Sequence, residues 1–181
     1  MNWLTHLFSS GPVTGNWDGH YEQHGRNFPI ELSLRHRGNK VSGSMVDVNG
    51  EHTQPLRQLL TDSHMPAAQI NEFVEEVRSQ FPDSPDGEIE YLSSLPNASL
   101  ISGEVDGFSI SFTKRYEGYL EIEYRLNGLS LIQDAQCENV MYTGKISDDF
   151  NLISGNWSIS APDDFATEIS GNFQLERRAA G

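Results

Sequence analysis

Two histidines stand four residues apart in the chain, as His20 and His24. On a helix this spacing would place two imidazoles side by side, where they could bind zinc. The pair falls instead at the end of a predicted strand, where the two Cα atoms would lie roughly 13 Å apart. We therefore expect surface histidines, and the residues indicate neither a metal site nor another cofactor.

Two pairs of carboxylates have the spacing that would allow general acid and base chemistry, Glu88 with Glu90 and Glu121 with Glu123. Both pairs alternate with apolar residues, which is typical of a solvated strand face. The chain has neither a G-x-S-x-G elbow nor a G-x-x-x-x-G-K-[ST] phosphate loop. Because no histidine lies near Cys137 in the sequence, we expect a buried bystander thiol there. Catalytic residues are therefore not indicated, and a protein without enzymatic activity is favoured.

A third group of residues has apolar or phenolic side chains that could line a ligand cavity. Aromatic rings supply apolar area, and tyrosine hydroxyls supply polar contacts. For each of these residues, plain core packing is the alternative. The candidate ligand-binding residues are Tyr21, Phe28, Ile30, Phe112, Tyr124 and Trp157.

Alternating apolar and polar residues predict the strands that would position these side chains. In the run F-P-I-E-L-S-L-R-H from Phe28, the residues Ile30, Leu32 and Leu34 fall on one face. Similar alternation covers residues 107–113 and 118–126 and three later runs. The pattern predicts a mainly β protein, an up-and-down antiparallel β-barrel of about eight to ten strands. A flattened sandwich obeys the same alternation and remains the alternative.

A short motif, in which a hydroxyl residue and glycine stand between large apolar residues, supports strong strand curvature. Within a strand, the glycine shares a face with its apolar flanks. Glycine is less stable there than alanine by about 0.5–1 kcal/mol, so its repeated use predicts an inward position in a highly coiled barrel. The six copies are V-T-G-N-W, V-S-G-S-M, I-S-G-E-V, Y-T-G-K-I, I-S-G-N-W and I-S-G-N-F, beginning at residues 13, 41, 101, 142, 153 and 169.

One segment, residues 54–82, has helical spacing instead. Its apolar residues Ile70, Val74 and Val77, with Phe73 and Phe81, follow the pattern of an amphipathic helix. We expect this helical insertion to interrupt a single β-barrel domain that spans residues 1–181, and to be a candidate lid.

The motif Gly15-Asn16-Trp17 on the first strand, followed by a meander, resembles the calycin group of lipocalins, fatty-acid-binding proteins and avidins. The resemblance covers most of the chain as a strand pattern and about three residues as a motif. It implies a barrel that encloses a small ligand, and it implies that Trp17 packs across the closed end of that barrel. The helical insertion follows the third strand, which departs from the pattern of the group.

The charge of the chain limits its partners. Twelve basic and twenty-six acidic residues give a net charge of −14, which disfavours binding to nucleic acid and to anionic membranes. The N-terminal residues lack the basic start and long apolar run of a signal peptide, so a cytoplasmic location is expected.

Three functions are consistent with these patterns. The first is a cytoplasmic barrel that binds a small, mostly apolar ligand in its interior. The alternative is an acidic interaction module with a solid core, an inhibitor or adaptor that binds a basic protein partner. A barrel-hosted isomerase or cyclase ranks third.

Overall fold

The computed structural model describes residues 11–23, 25–48, 50–81, 86–159 and 169–179, which form twelve strands and two helices. The protein is mainly β, as the alternation predicts. The elements are β1 (Gly15–Gln23), β2 (Arg26–Arg37), β3 (Lys40–Asp47), β4 (Glu51–Pro55), α1 (Leu56–Asp62), α2 (Ala67–Ser79), β5 (Glu90–Ser94), β6 (Ser99–Asp106), β7 (Ser109–Tyr116), β8 (Tyr119–Leu126), β9 (Leu129–Gln136), β10 (Val140–Ile146), β11 (Leu152–Ile159) and β12 (Ile169–Arg177).

Eight strands close into an antiparallel barrel in the order β1-β2-β3-β6-β7-β10-β11-β12. The closing pair is β1 with β12, in a register that sets Trp17 opposite Arg177 and Tyr21 opposite Phe173. Since the first and last strands pair, the predicted barrel is confirmed and the sandwich is excluded. Consecutive barrel strands are neighbours, as in a meander. Two excursions of the chain, one between β3 and β6 and one between β7 and β10, interrupt this order.

The alternation predicted for β2 is the alternation observed. Ile30, Leu32 and Leu34 are buried, and the residues between them are exposed. These side chains join a core that is shared by the other barrel strands. Burial of this apolar face is the main term that stabilises the closed sheet.

The repeated glycines lie where the strands approach one another closely. A Cβ on Gly43 would lie 1.8 Å from the carbonyl oxygen of Ser33, and one on Gly155 would lie 2.1 Å from that of Thr143. The apolar flanks of the six motifs are buried, with the exception of Ile169, which is 43% exposed. The inward glycine positions are therefore confirmed.

The remaining four strands form a separate sheet in the order β4-β5-β8-β9. Helices α1 and α2 precede β5 and cover one face of this sheet. The predicted helical stripe is confirmed, because Ile70, Val74 and Val77 are buried in α2. The core of this unit consists of Leu56, Leu60, Ile70, Val74, Val77, Phe81, Ile89, Tyr124 and Leu126.

The contacts within the chain define two compact units. The barrel unit comprises residues 1–49, 97–117 and 137–181, and the second unit comprises residues 50–96 and 118–136. Strand β8, which we expected in the barrel, belongs to the second sheet. The assignment of one domain to residues 1–181 and the lid role of residues 54–82 stay predictions.

Candidate functional site

A lysine occupies the interior face of the barrel. On β7, Lys114 follows Ile110 and Phe112 at intervals of two residues, so the pleat of the strand turns all three side chains inward. Lys114 lies opposite Ile101 on β6 and Val140 on β10, and it is 1% exposed. Charged side chains are rarely buried to this degree unless they are paired.

The Lys114 ammonium is paired with a carboxylate and a phenol. Its Nζ donates to Oδ1 and Oδ2 of Asp47, at 2.7 and 2.5 Å, and to the hydroxyl of Tyr116 at 2.8 Å. The Asp47 side chain is 5% exposed, at the end of β3. These contacts satisfy three donor positions of the ammonium, which offsets much of the cost of its burial.

The surroundings of this cluster shift several pKa values. Burial lowers the pKa of Lys114 from its ordinary value, and the Asp47 carboxylate opposes this shift. Burial, followed by the Asp47 charge, raises the pKa of Tyr21, Tyr116 and Tyr142. The three phenols therefore remain protonated at neutral pH.

Three of the candidate ligand-binding residues come together in the barrel unit. The ring of Tyr21 stacks on Phe28 with centroids 5.1 Å apart and meets Trp157 edge-on at 5.6 Å. Trp157 donates from Nε1 to the carbonyl oxygen of Glu22 at 3.0 Å. Tyr21 and Phe28 are half-buried, so this aromatic group includes partly exposed rings. Asp47 lies opposite Ile30 on β2, two residues after Phe28, so the aromatic group and the carboxylate partner of Lys114 lie on neighbouring strands.

Two further candidates, Ile30 and Phe112, are fully packed in the barrel core. Phe112 stacks on Tyr142 with centroids 4.8 Å apart. The sixth candidate, Tyr124, is not in the barrel: it lies on β8, in the core of the second unit, where it meets Tyr91 edge-on at 5.9 Å. The expectation that Tyr124 lines the barrel is corrected, because alternation along a strand does not identify the sheet that the strand joins.

Sequence reasoning missed Lys114, Asp47 and Tyr116. The alternation predicts a strand that ends at Thr113, one residue before the lysine. Continuing the same period would have placed Lys114 and Tyr116 on the inward face. Asp47 lies 67 residues from Lys114 in the chain, and no local pattern indicates their pairing.

Trp17 is completely buried near the start of β1. Its Nε1 donates to the carbonyl oxygen of Val13 at 3.1 Å, and the guanidinium of Arg177 lies 4.6 Å from the centre of its ring. Arg177 also donates to the carbonyl oxygens of Thr14 and Phe150, at 2.8 and 2.9 Å. These contacts link Arg177 on β12 to the residues before β1 and to the turn between β10 and β11.

The other side chains considered for catalysis or metal binding do not come together in one site. His20 is half-buried on the barrel, whereas His24 lies outside the described residues. Glu123 accepts two hydrogen bonds from Arg125, at 2.8 and 2.6 Å, and these lower the pKa of its carboxyl. Cys137 is half-buried rather than buried. Among the described residues, no group of three or more histidine, cysteine or acidic side chains could hold a metal ion.

Neither described helix is long and apolar enough to cross a membrane. Comparison of the chain with protein-family models, with curated proteins and with solved structures found no match. The site is therefore interpreted from its own residues.

Proposed function

We propose that the barrel unit is calycin-like and binds a small, mostly apolar molecule beside Lys114. The observation that carries this proposal is the buried cluster of Lys114, Asp47 and Tyr116. An apolar replacement of a buried ion pair is often equally stable or more stable, so such a pair is poorly explained by stability alone. Clusters of buried titratable groups occur preferentially at functional sites.

The groups around the cluster support the chemical class of the ligand. Apolar side chains form most of the barrel interior, and the rings of Tyr21, Phe28 and Trp157 provide aromatic surface. The protonated phenols provide a few polar groups, and polar groups in an apolar surrounding are typical of small-molecule sites. The rings of Tyr21 and Phe28 are half-buried, so we expect the ligand to enter beside them.

We also propose that the barrel resembles those of the calycin group and that the protein is cytoplasmic. The closed antiparallel barrel of eight strands and the buried Trp17 of the Gly15-Asn16-Trp17 motif support a calycin-like barrel. The single cysteine of the chain is consistent with a cytoplasmic location, where disulfides are rare.

Native mass spectrometry of gently purified protein tests the proposal. We expect a small adduct that is released on unfolding, because only the folded barrel holds the ligand. In a Tyr116→Phe variant the adduct should be reduced, since the phenol that contacts Lys114 is lost. The matched control is Tyr119→Phe, a tyrosine that is 68% exposed. A bare chain, combined with no thermal stabilisation by 1-hexanol as an apolar probe, would contradict the proposal.

The second unit favours another candidate function, the acidic module that binds a basic protein. On the sheet face opposite the helices, Glu121 lies directly opposite Asp134, and Glu51 lies in the same cross-strand row beyond Ser94. The three acidic residues are exposed. Like charges directly opposite each other destabilise a sheet, and a cationic partner would relieve the repulsion. On this face, the cation Arg125 is already paired with Glu123.

A fluorescent peptide of alternating lysine and alanine tests this second candidate by anisotropy. Glu121→Gln should weaken binding by about two- to fivefold, as expected for the loss of one exposed charge pair. Glu72→Gln, at an exposed position on α2, is the matched control for overall charge. Equal effects of the two variants would show attraction to the net charge of the chain and no defined surface.

A further inference from the structure

The environment of Lys114 differs from that of every other lysine in the chain. The sequence contains three lysines, at positions 40, 114 and 145. The Lys40 side chain is 67% exposed and is paired with Glu104. Lys145 is exposed and donates to Ser109 at 2.7 Å. Only Lys114 combines an amine, a carboxylate and a phenol within hydrogen-bond distance in an apolar interior.

We propose that Lys114 forms a reversible imine with the carbonyl group of an aldehyde or ketone that binds in the barrel. The inference rests on the proposed function, since the carbonyl compound must first enter the barrel. An apolar environment favours the neutral amine, which is the nucleophilic form of lysine. The carbon chain of the ligand would contact the aromatic group of Tyr21, Phe28 and Trp157.

The neighbours of the amine supply the proton transfers that imine formation requires. Asp47, 2.7 Å from Nζ, accepts a proton, and the nitrogen lone pair then forms a bond to the carbonyl carbon. The hydroxyl of Tyr116, 2.8 Å from Nζ, is placed to donate to the carbonyl oxygen as the C–O π bond breaks. The phenol then recovers its proton from Asp47 or from the nitrogen.

The overall step is balanced without a further reactant. One ammonium and one carbonyl compound give one protonated imine and one water molecule. Two protons of the ammonium leave with the carbonyl oxygen, and the third stays on the nitrogen. Asp47 is a carboxylate before and after the reaction, so the positive imine keeps the counter-ion that the ammonium had. No electrons are gained or lost, and hydrolysis reverses the step.

Reductive trapping with hexanal and sodium cyanoborohydride tests the inference on the full chain. The reagent converts an imine into a stable hexyl amine, and peptide mapping by mass spectrometry locates it. We expect Lys114 to be labelled about tenfold faster than Lys40 or Lys145, because its amine is desolvated and flanked by acid and base groups. Labelling in urea provides the reference in which the three lysines react alike, and circular dichroism checks that hexanal leaves the chain folded.

Binding without covalent chemistry is measured separately with 1-hexanol, which has the same chain length and no carbonyl group. We expect 1-hexanol to raise the unfolding temperature and to slow labelling of Lys114 but not of Lys40. Stabilisation by 1-hexanol with labelling confined to Lys40 and Lys145 would overturn the imine and leave the binding function intact. Failure of 1-hexanol to stabilise the protein, together with an unlabelled Lys114, would overturn both.

Discussion

Replacing Lys114 with methionine removes the cation that touches the buried Asp47 carboxylate. The Asp47 side chain is 5% exposed, so water cannot replace the lost partner without local opening. Leaving one charge of a buried pair without its partner costs about 3–5 kcal/mol. Asp47→Asn should have a cost of similar size, since it leaves the ammonium with Tyr116 as its remaining partner. We expect the double variant to be more stable than the sum of the two single effects predicts.

Urea unfolding followed by tryptophan fluorescence measures these free energies, because Trp17 and Trp157 are both buried. The reference pair is Lys40 with Glu104, which also joins two barrel strands but is exposed. Lys40→Met should cost at most about 1 kcal/mol. If Lys114→Met costs no more than Lys40→Met, the reasoning about the buried pair is refuted.

Three other predictions concern the barrel and the second sheet. Gly155→Ala should destabilise the barrel by about 1–3 kcal/mol in urea unfolding, since its Cβ would overlap a strand carbonyl, whereas Ser154→Ala should change little. Burial, followed by the Asp47 charge, raises the pKa of Tyr116 and Tyr142 above the ordinary value of 10.0. Their contribution to stability is therefore complete below pH 10.0 and is lost as the pH rises further, and Tyr142→Phe should reduce this alkaline loss in urea unfolding across that range. Among the described strands, β9 lies at an edge of the second sheet, and its Ile132 is exposed. Ile132→Lys should therefore slow heat-induced aggregation, measured by light scattering. An unchanged rate would show that this edge is protected.

Much of the fold follows from local patterns in the sequence. Alternation in β2 and the inward glycines at residues 43 and 155 both report on a buried, strongly curved strand face, so they predict the barrel. The stripe of Ile70, Val74 and Val77 likewise predicts α2. The alternation in β8 predicts a barrel strand, because it resembles the alternation of the strands that do form the barrel. Partner choice between sheets depends on contacts that are distant in sequence.

The candidate site was predictable only in part. Tyr21, Phe28 and Trp157 were grouped from their apolar character and expected inward positions, and the structure brings them together. The alternation does not predict the burial of Lys114, because a charged residue usually marks the end of an apolar strand face. Its burial depends on Asp47, and these two residues meet because β6 pairs with both β3 and β7.

The two excursions of the chain have a consequence for the order of events during synthesis. Residues 50–96 form the first part of the second unit, and residues 118–136 supply β8 and β9. Since β5 pairs with β8, the sheet stays incomplete until the ribosome has also made β6 and β7, which belong to the barrel. Until then, this sheet consists of the β4–β5 pair, whose strands are joined through α1 and α2, and its core lacks Tyr124 and Leu126 of β8. The segments of the two units alternate along the chain, so neither unit can be completed until segments of the other have been made. In the meantime, the nascent chain exposes unpaired strands.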